Sequence, residues 1–353
     1  MRRAEALDLV ISDVAGLRCR FDFAQRIEMA TRWIAPVAAD ATITLRTDML
    51  IAILSNPGGF DLRSAQSMRL GGARIEGSRR LAAYWFQLLK RPDATQRASL
   101  ARAWACAPTS LPCVPQMAHG ADAAQQTENV IEALRRSVPL HLRGVLNWPE
   151  TGWSLADWRN REGATALSLR SASGSATTIG EFIDTFTSAA ESQSPQDRTE
   201  APYTDGCLLP AAWDARFRMP VLPASAFGDA QLWFGQRREC ALVTRLHCDL
   251  ANSFLAHICG RKRVRLYDPS QEHALYALNT FNSFRPCRVD VAEPDLVRFP
   301  RFAEARGIDV LLEPGDLLII PTGWFHCVWA LDAVLSVSRF VSDETVAQLR
   351  STP

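Results

Sequence analysis

Two histidines and one aspartate have the types and the spacing to do chemistry together. His247 and Asp249 stand two residues apart in LVTRLHCDLANS, at the end of a β-rich run. Side chains two apart on a strand point to the same face, so an imidazole and a carboxylate converge there. His326 follows in EPGDLLIIPTGWFHCVWAL, at the start of another β-rich run. Two histidines and one carboxylate leave neighbouring coordination positions open, which suits non-haem Fe(II).

The segments around these residues carry the interpretation, because an HxD tripeptide alone is common by chance. Residues 230–340 resemble the JmjC family of Fe(II)/2-oxoglutarate oxygenases, in particular its cupin-like hydroxylase branch. A weaker likeness extends back to about residue 138, whereas residues 1–120 resemble no family that we can name. The matching segments are LWFG at 232–235, TRLHCD at 244–249, GRKRVRLYDP at 260–269, RVDVAEPDLVRFPRFAEA at 288–305 and EPGDLLIIPTGWFHCVWALDAVLSVS at 313–338.

The resemblance implies a role for five residues. His247, Asp249 and His326 match the residues that hold Fe(II), and the co-substrates would be 2-oxoglutarate and dioxygen. Lys262 matches the lysine that pairs with the distal carboxylate of 2-oxoglutarate, and Thr244 matches a hydroxyl residue that hydrogen-bonds the same group. A buried dianion needs a cation and donors at its far end, since an unpaired buried charge is strongly unfavourable.

Three positions depart from the family pattern inside the same barrel. Ser253 stands where many relatives have asparagine, and His257 stands where relatives have glutamine. Ser338 opens Ser-Arg-Phe where many hydroxylases read Asn-Phe-Trp. We assign Ser253 and Ser338 to the co-substrate pocket on these grounds. The altered lining means that the substrates of the best-known relatives do not transfer to this chain.

The resemblance implies hydroxylation of an amino-acid side chain in a protein or peptide, with decarboxylation of 2-oxoglutarate to succinate. Hydroxylation of a small molecule or natural-product intermediate stays open, and so does a non-catalytic cupin scaffold. Demethylation would follow from the same chemistry at an N-methyl carbon, so the choice between hydroxylation and demethylation also stays open.

The sequence patterns around these residues predict an α+β fold. Many short β-rich runs separated by turn residues after residue 138 favour a double-stranded β-helix, the jelly-roll or cupin barrel. Apolar residues at helical spacing predict a mainly helical region before it. The Pro-rich stretch 108–120 predicts the boundary. We expect a helical N-terminal domain over 1–120, the oxygenase domain over 121–345 and a tail over 346–353; the predicted N-terminal helices lie in 3–16, 23–38, 74–90 and 95–107.

Composition limits the partners. The 353 residues carry 39 basic and 38 acidic side chains, a balance that argues against nucleic acid and against an anionic membrane surface. Nine cysteines without a CxxC pair predict reduced thiols in a cytoplasmic protein. The sequence contains no run of 18 apolar residues, so it predicts no membrane-spanning helix. The N-terminal region could hold substrate, cover the barrel or form a homodimer interface, and the sequence does not choose.

Overall fold

The described part of the chain forms two units in this computed structural model. Among the described residues, the first unit comprises those within 1–93 together with 280–281, and the second comprises those within 94–169, 177–279 and 284–349. The predicted domain bounds of 1–120, 121–345 and 346–353 stay a prediction. The residues that the structure describes are 5–23, 27–30, 38–55, 67, 70–108, 111–118, 123–169, 177–191, 203–204, 206–236, 242–281 and 284–349.

The described residues of the first unit form a five-stranded sheet and two helices. Its strands, in the order β3-β2-β1-β4-β5, pair antiparallel except for the parallel pair β1 and β4. Leu7, Ile43, Met49, Leu81 and Trp85 are buried together in its core. The elements are β1 Glu5–Ile11, β2 Arg18–Phe23, β3 Ile27–Ala30, β4 Ala41–Leu45, α1 Thr47–Ser55, β5 Arg74–Gly77 and α2 Arg79–Leu89.

The prediction of a mainly helical N-terminal domain is wrong for this unit. Segment 3–16 contains β1, and segment 23–38 contains β3, with residues 24–26 and 31–37 outside the described part. β1 is buried on both faces, where even Asp8 is covered and pairs with Arg20 at 2.8 Å. A strand covered on both faces lacks the alternation of period 2 that separates strand from helix, so its apolar pattern does not distinguish the two. The helix predicted over 95–107 is confirmed, and the one predicted over 74–90 is confirmed only for Arg79–Leu89, because Arg74–Gly77 form a strand.

In its described residues the second unit contains three sheets and five α-helices, and the smallest sheet is the antiparallel pair β8 and β9. The seven-stranded sheet has the order β10-β11-β19-β13-β17-β7-β6, and the five-stranded sheet has the order β15-β12-β18-β14-β16. Its helices are α3 Ala94–Cys106, α4 Ala123–Arg135, α5 Leu155–Glu162, α6 Ile179–Glu191 and α7 Asp343–Gln348. Its strands are β6 Gln116–Ala118, β7 Leu140–Arg143, β8 Ala166–Leu167, β9 Thr177–Thr178, β10 Cys207–Leu208, β11 Gln231–Gly235, β12 Leu242–Asp249, β13 Asn252–Cys259, β14 Lys262–Tyr267, β15 Phe284–Pro286, β16 Ile308–Leu312, β17 Leu317–Ile320, β18 Phe325–Ala330 and β19 Val334–Val341.

One apolar cluster joins the inward faces of the two larger sheets. Leu255 and Leu318 come from the seven-stranded sheet, and Val264 and Val328 come from the five-stranded sheet. The outer face of the seven-stranded sheet packs on the helical side, where Phe254 joins a cluster that includes Trp158 and Phe182. The second unit is therefore of mixed α+β class with its chemistry-bearing strands in the five-stranded sheet. Among the described residues, no helix is long and apolar enough to cross a membrane.

The turn between β13 and β14 depends on Gly260. Its φ of +71° lies in the left-handed region, and a Cβ there would lie 2.1 Å from the carbonyl oxygen of Ala333. We expect Gly260→Ala to lower the free energy of unfolding by more than the ~1–2 kcal/mol that a left-handed φ alone costs, measured by urea denaturation. Gly144→Ala is the matched control, because Gly144 has φ +60° and no atom within 4 Å of an added Cβ. Equal losses in the two variants would contradict the steric argument.

Candidate metal centre

Neighbouring strands of the five-stranded sheet bring the two histidines together. His247 on β12 lies directly opposite His326 on β18, and Asp249 lies opposite Phe284 on β15. Residues directly opposite each other in an antiparallel pair point to the same face. The sheet therefore brings together the three residues that the sequence predicted as ligands.

The ligand atoms of these three residues converge. They all lie within 4.8 Å of one another. His247 Nε2 lies 3.6 Å from one carboxylate oxygen of Asp249, and His326 Nε2 lies 3.7 Å from the other. Distances of this size between ligand atoms leave room for one ion bound by all three.

Hydrogen bonds set the tautomer of both rings. His247 Nδ1 lies 2.8 Å from the carbonyl oxygen of Arg245, and His326 Nδ1 lies 3.2 Å from the carbonyl oxygen of Trp324. A carbonyl only accepts, so each Nδ1 carries the proton and donates it, which leaves the Nε2 lone pair for a metal. Burial, and then the neighbouring His247, lower the pKa of His326 to about 4, so its ring is neutral near pH 7. Two imidazoles and a carboxylate fit the expected Fe(II).

The cysteines beside two of these ligands belong to the other face of the sheet. Cys248 and Cys327 pack in an apolar cluster with Tyr267 and Trp329. Burial raises the pKa of both thiols, to about 12 for Cys327, which keeps them protonated. The donor set on the inward face is therefore nitrogen and oxygen only.

Thr244 and Lys262 lie on the same inward face as the histidines. Thr244 is opposite Val328, and Lys262 is opposite Ala330 two residues further along β18. The pairing of β12 with β18 shifts register between Thr244 and His247. Such a bulge adds one residue to one strand, so two residues three apart can share a face that strict alternation would deny them.

Lys262 is a buried cation. It is 1% exposed, and no ion pair joins it to any residue that the structure describes. Its Nζ lies 5.7 Å from the ring centroid of Tyr203, within the range of a cation–π contact. Desolvation alone lowers the pKa of Lys262 to about 7. A buried ammonium in this state favours an anionic partner.

The two serines lie on the inward face of the seven-stranded sheet. Ser253 is opposite Ile320, and Ser338 is opposite Leu255, which belongs to the cluster between the sheets. Ser338 Oγ accepts a hydrogen bond of 2.8 Å from Trp233 Nε1. Both serines are buried. They therefore lie on the sheet opposite to the histidines, and their contact with 2-oxoglutarate stays a prediction.

His257 is locked in the same interior. Its Nε2 donates to the carbonyl oxygen of Gly260 at 2.8 Å, so its Nδ1 accepts from the hydroxyl of Ser336, also at 2.8 Å. Burial, and then the positive charge of Lys262, lower the pKa of His257 to about 3. The neutral ring of His257 thus connects β19 to the turn before Lys262 through one hydrogen bond at each nitrogen.

Sequence reasoning missed two lining residues, Tyr203 and Trp233. Trp233 belongs to the LWFG segment, where buried Leu232 and Phe234 pack on the outer cluster and alternation turns Trp233 inward. That alternation was a usable signal. Tyr203 follows a polar stretch without periodicity, so its place beside Trp233, with ring centroids 6.4 Å apart, follows only from the fold.

The sequence profile of the Cupin-like domain family matches residues 159–344, more than half of the chain. The chain belongs to this family. The JmjC resemblance predicted from the sequence is confirmed, and JmjC-type members of the family use Fe(II), 2-oxoglutarate and dioxygen. The cupin-like domain here carries a His/Asp/His group that suits the iron.

Individual relatives of this cupin-like chain match a shorter region. Lysine-specific demethylase 8 of Xenopus tropicalis is 40% identical over 106 residues, which are 30% of this chain and 23% of that protein. tRNA wybutosine-synthesizing protein 5 of Danio rerio is 39% identical over 94 residues, 27% of this chain and 28% of that protein. Lysine-specific demethylase JMJ30 of Arabidopsis thaliana is 36% identical over 112 residues, 32% of this chain and 25% of that protein. The chain thus spans about a quarter of the length of these relatives.

Proposed function

We propose that this chain is an Fe(II)- and 2-oxoglutarate-dependent oxygenase that hydroxylates an amino-acid side chain of a protein or peptide. The observation that carries the proposal is the convergence of His247, Asp249 and His326 on the same sheet face that holds the buried Lys262. A metal set with open positions and an unmatched cation are the two requirements for binding iron together with a chelating dianion.

Each residue has a distinct task in this proposal. His247 and His326 hold the metal through their Nε2 atoms, and Asp249 holds it through its carboxylate. The backbone carbonyls of Arg245 and Trp324 accept from the Nδ1 atoms and so help to orient the two rings. Lys262 pairs with the distal carboxylate of 2-oxoglutarate, and the hydroxyl of Thr244 donates to it. Ser253 and Ser338 face the same pocket from the other sheet.

The surrounding sheets keep this pocket dry. We infer that the seven-stranded and five-stranded sheets form the double-stranded β-helix expected from the sequence, since one apolar cluster joins their inward faces. Phe284 packs edge-on against His247, with ring centroids 5.6 Å apart, and covers the metal side of β12. When bound, Fe(II) with 2-oxoglutarate and dioxygen supplies the oxidation of a C–H bond, and 2-oxoglutarate leaves as succinate and carbon dioxide.

The class of substrate rests on the hydroxylase resemblance. The names of the relatives indicate lysine demethylation and tRNA wybutosine synthesis. Because one of these names refers to RNA, the prediction that nucleic acid is an unlikely partner, which rested on the near-neutral charge of the chain, is not supported. Demethylation would follow if the oxidised carbon were an N-methyl group. A small-molecule substrate is the alternative that a turnover experiment must separate from these.

The test is turnover of the full chain with Fe(II), 2-oxoglutarate and ascorbate. We expect succinate formation that rises when a peptide mixture is added, with one oxygen atom added to a peptide by mass spectrometry. Parallel incubations with RNA and with a panel of amino acids identify the other substrate classes. Succinate no higher than in reactions without iron would contradict the oxygenase, and a product only among amino acids would replace the peptide by a small molecule.

A further inference from the structure

A basic surface cavity lies outside the metal centre, in the second unit. Its volume is about 300 Å³. We call it the arginine pocket, and its polar lining consists mainly of Glu272, Tyr276, Asn279, Arg285, Arg288 and Arg301. The pocket borders β15, the edge strand whose Pro286 lies opposite His247. It is therefore one strand away from a metal ligand, on a surface that no task in the proposed oxygenase activity uses.

The positive charge of the arginine pocket is only partly matched. Glu272 pairs with Arg285, and Arg285 also donates to the carbonyl oxygen of Leu278 and to Asn279 Oδ1. Arg288 and Arg301 are exposed, and neither forms an ion pair with any residue in the described part of the chain. Two guanidinium groups thus face a cavity whose carboxylate, that of Glu272, is already paired with Arg285.

Aromatic rings, not carboxylates, support these two arginines. The Arg301 guanidinium lies 4.7 Å from the ring centroid of Tyr276, and that of Arg288 lies 5.7 Å from the ring centroid of Phe299. The two rings contact each other at 5.0 Å. A guanidinium stacked on a ring keeps its N–H edge free to bind an oxyanion bidentately.

Tyr276 fixes the position of both arginines. Its carbonyl oxygen accepts from the backbone N–H of Arg288 at 3.1 Å, and its hydroxyl accepts from the backbone N–H of Arg301 at 3.2 Å. Its φ is +52°, which is rare for a bulky residue. Such a conformation persists only where the surroundings enforce it, and it is found preferentially at binding sites.

We propose that the arginine pocket binds a phosphate monoester. A monoester carries close to two negative charges near neutral pH, which matches two unpaired guanidinium groups. A carboxylate or a phosphodiester brings only one. The ester belongs either to a free small molecule or to a phosphorylated side chain of a peptide that also reaches the metal. Binding at this site requires neither iron nor 2-oxoglutarate, so its test does not depend on the proposed oxygenase activity.

Calorimetric titration of the metal-free full chain tests this site. The probes are glycerol phosphate, a phosphoserine peptide, the same peptide unphosphorylated and a short single-stranded RNA. We expect saturable binding of the phosphorylated probes, and a loss of about tenfold in affinity in Arg288→Ala and in Arg301→Ala, because each removes a charge-assisted hydrogen-bond donor. Arg218→Ala is the matched control, since Arg218 is also an exposed arginine of this unit and does not line the pocket.

The outcomes separate cleanly. Tighter binding of the phosphopeptide than of glycerol phosphate assigns the ester to a peptide, and equal binding assigns it to a small molecule; either supports the site. No saturable binding of either probe overturns it. Equal losses in Arg218→Ala show a general charge effect and also overturn it. Arginine-dependent binding of RNA without binding of monoesters replaces the proposal by a nucleic-acid surface.

Discussion

Replacing His326 with alanine is expected to remove iron binding and, with it, all formation of succinate above background. Nε2 of His326 is one of three convergent ligand atoms, and its ring is buried and neutral. Losing only an outer partner of a metal ligand costs about 10–100-fold in affinity. Loss of the ligand itself should therefore weaken Fe(II) binding by more than ~100-fold on the same scale.

The same loss is expected for His247→Ala and Asp249→Ala. The measurement is anaerobic titration with Fe(II), with succinate formation followed in parallel. Cys327→Ala is the matched control, because Cys327 adjoins His326 on β18 and packs in the cluster on the other face of the sheet. Its iron affinity should equal that of the unaltered chain. If His326→Ala kept that affinity as well, the three residues would not be the metal site.

The grouping of His247, Asp249 and His326 was predictable because two of the three lie close together on one strand. His247 and Asp249 are two apart on one strand, so alternation alone places both side chains on one face. The motif around His326 then supplied the third residue. Thr244 shows the limit of this reasoning, because it is three residues from His247 and strict alternation would put it on the opposite face. A shift in register places Thr244 on the inward face, and the local sequence does not indicate that shift.

The N-terminal region was less predictable for a physical reason. Both faces of β1 are covered, so its apolar residues show no period of 2. The sequence pattern of this segment therefore does not distinguish a strand from a helix. Which face of a strand is covered depends on partners far along the chain: β4 pairs with β1 across more than thirty residues. The polar contacts inside the second unit also depend on residues that are far apart in the sequence. Trp233 meets Ser338 only because β11 and β19 are neighbours in the sheet.

Replacing Lys262 with methionine is expected to weaken 2-oxoglutarate binding while stabilising the protein without co-substrate. Truncating one partner of a buried charge pair costs about 2–5 kcal/mol, so the Kd for 2-oxoglutarate should rise by about thirtyfold or more. Lys262→Arg, which keeps the charge, should lose less. The Kd is measured by calorimetry with Mn(II) in place of Fe(II), so that no turnover occurs.

The pH dependence of stability distinguishes a buried charge from simple packing. The pKa of Lys262 is lowered from 10.5 to about 7 in the folded chain, so between these values the unfolded chain binds more protons at this residue. Unfolding free energy then rises with pH by up to roughly 1.4 kcal/mol per pH unit from this group. Without co-substrate, the unaltered chain should gain stability relative to Lys262→Met between pH 7 and pH 10, measured by urea denaturation. Adding 2-oxoglutarate should abolish that relative gain, because its carboxylate restores the charged lysine. Parallel profiles for the two proteins would show that Lys262 is solvated and would remove it from the co-substrate pocket.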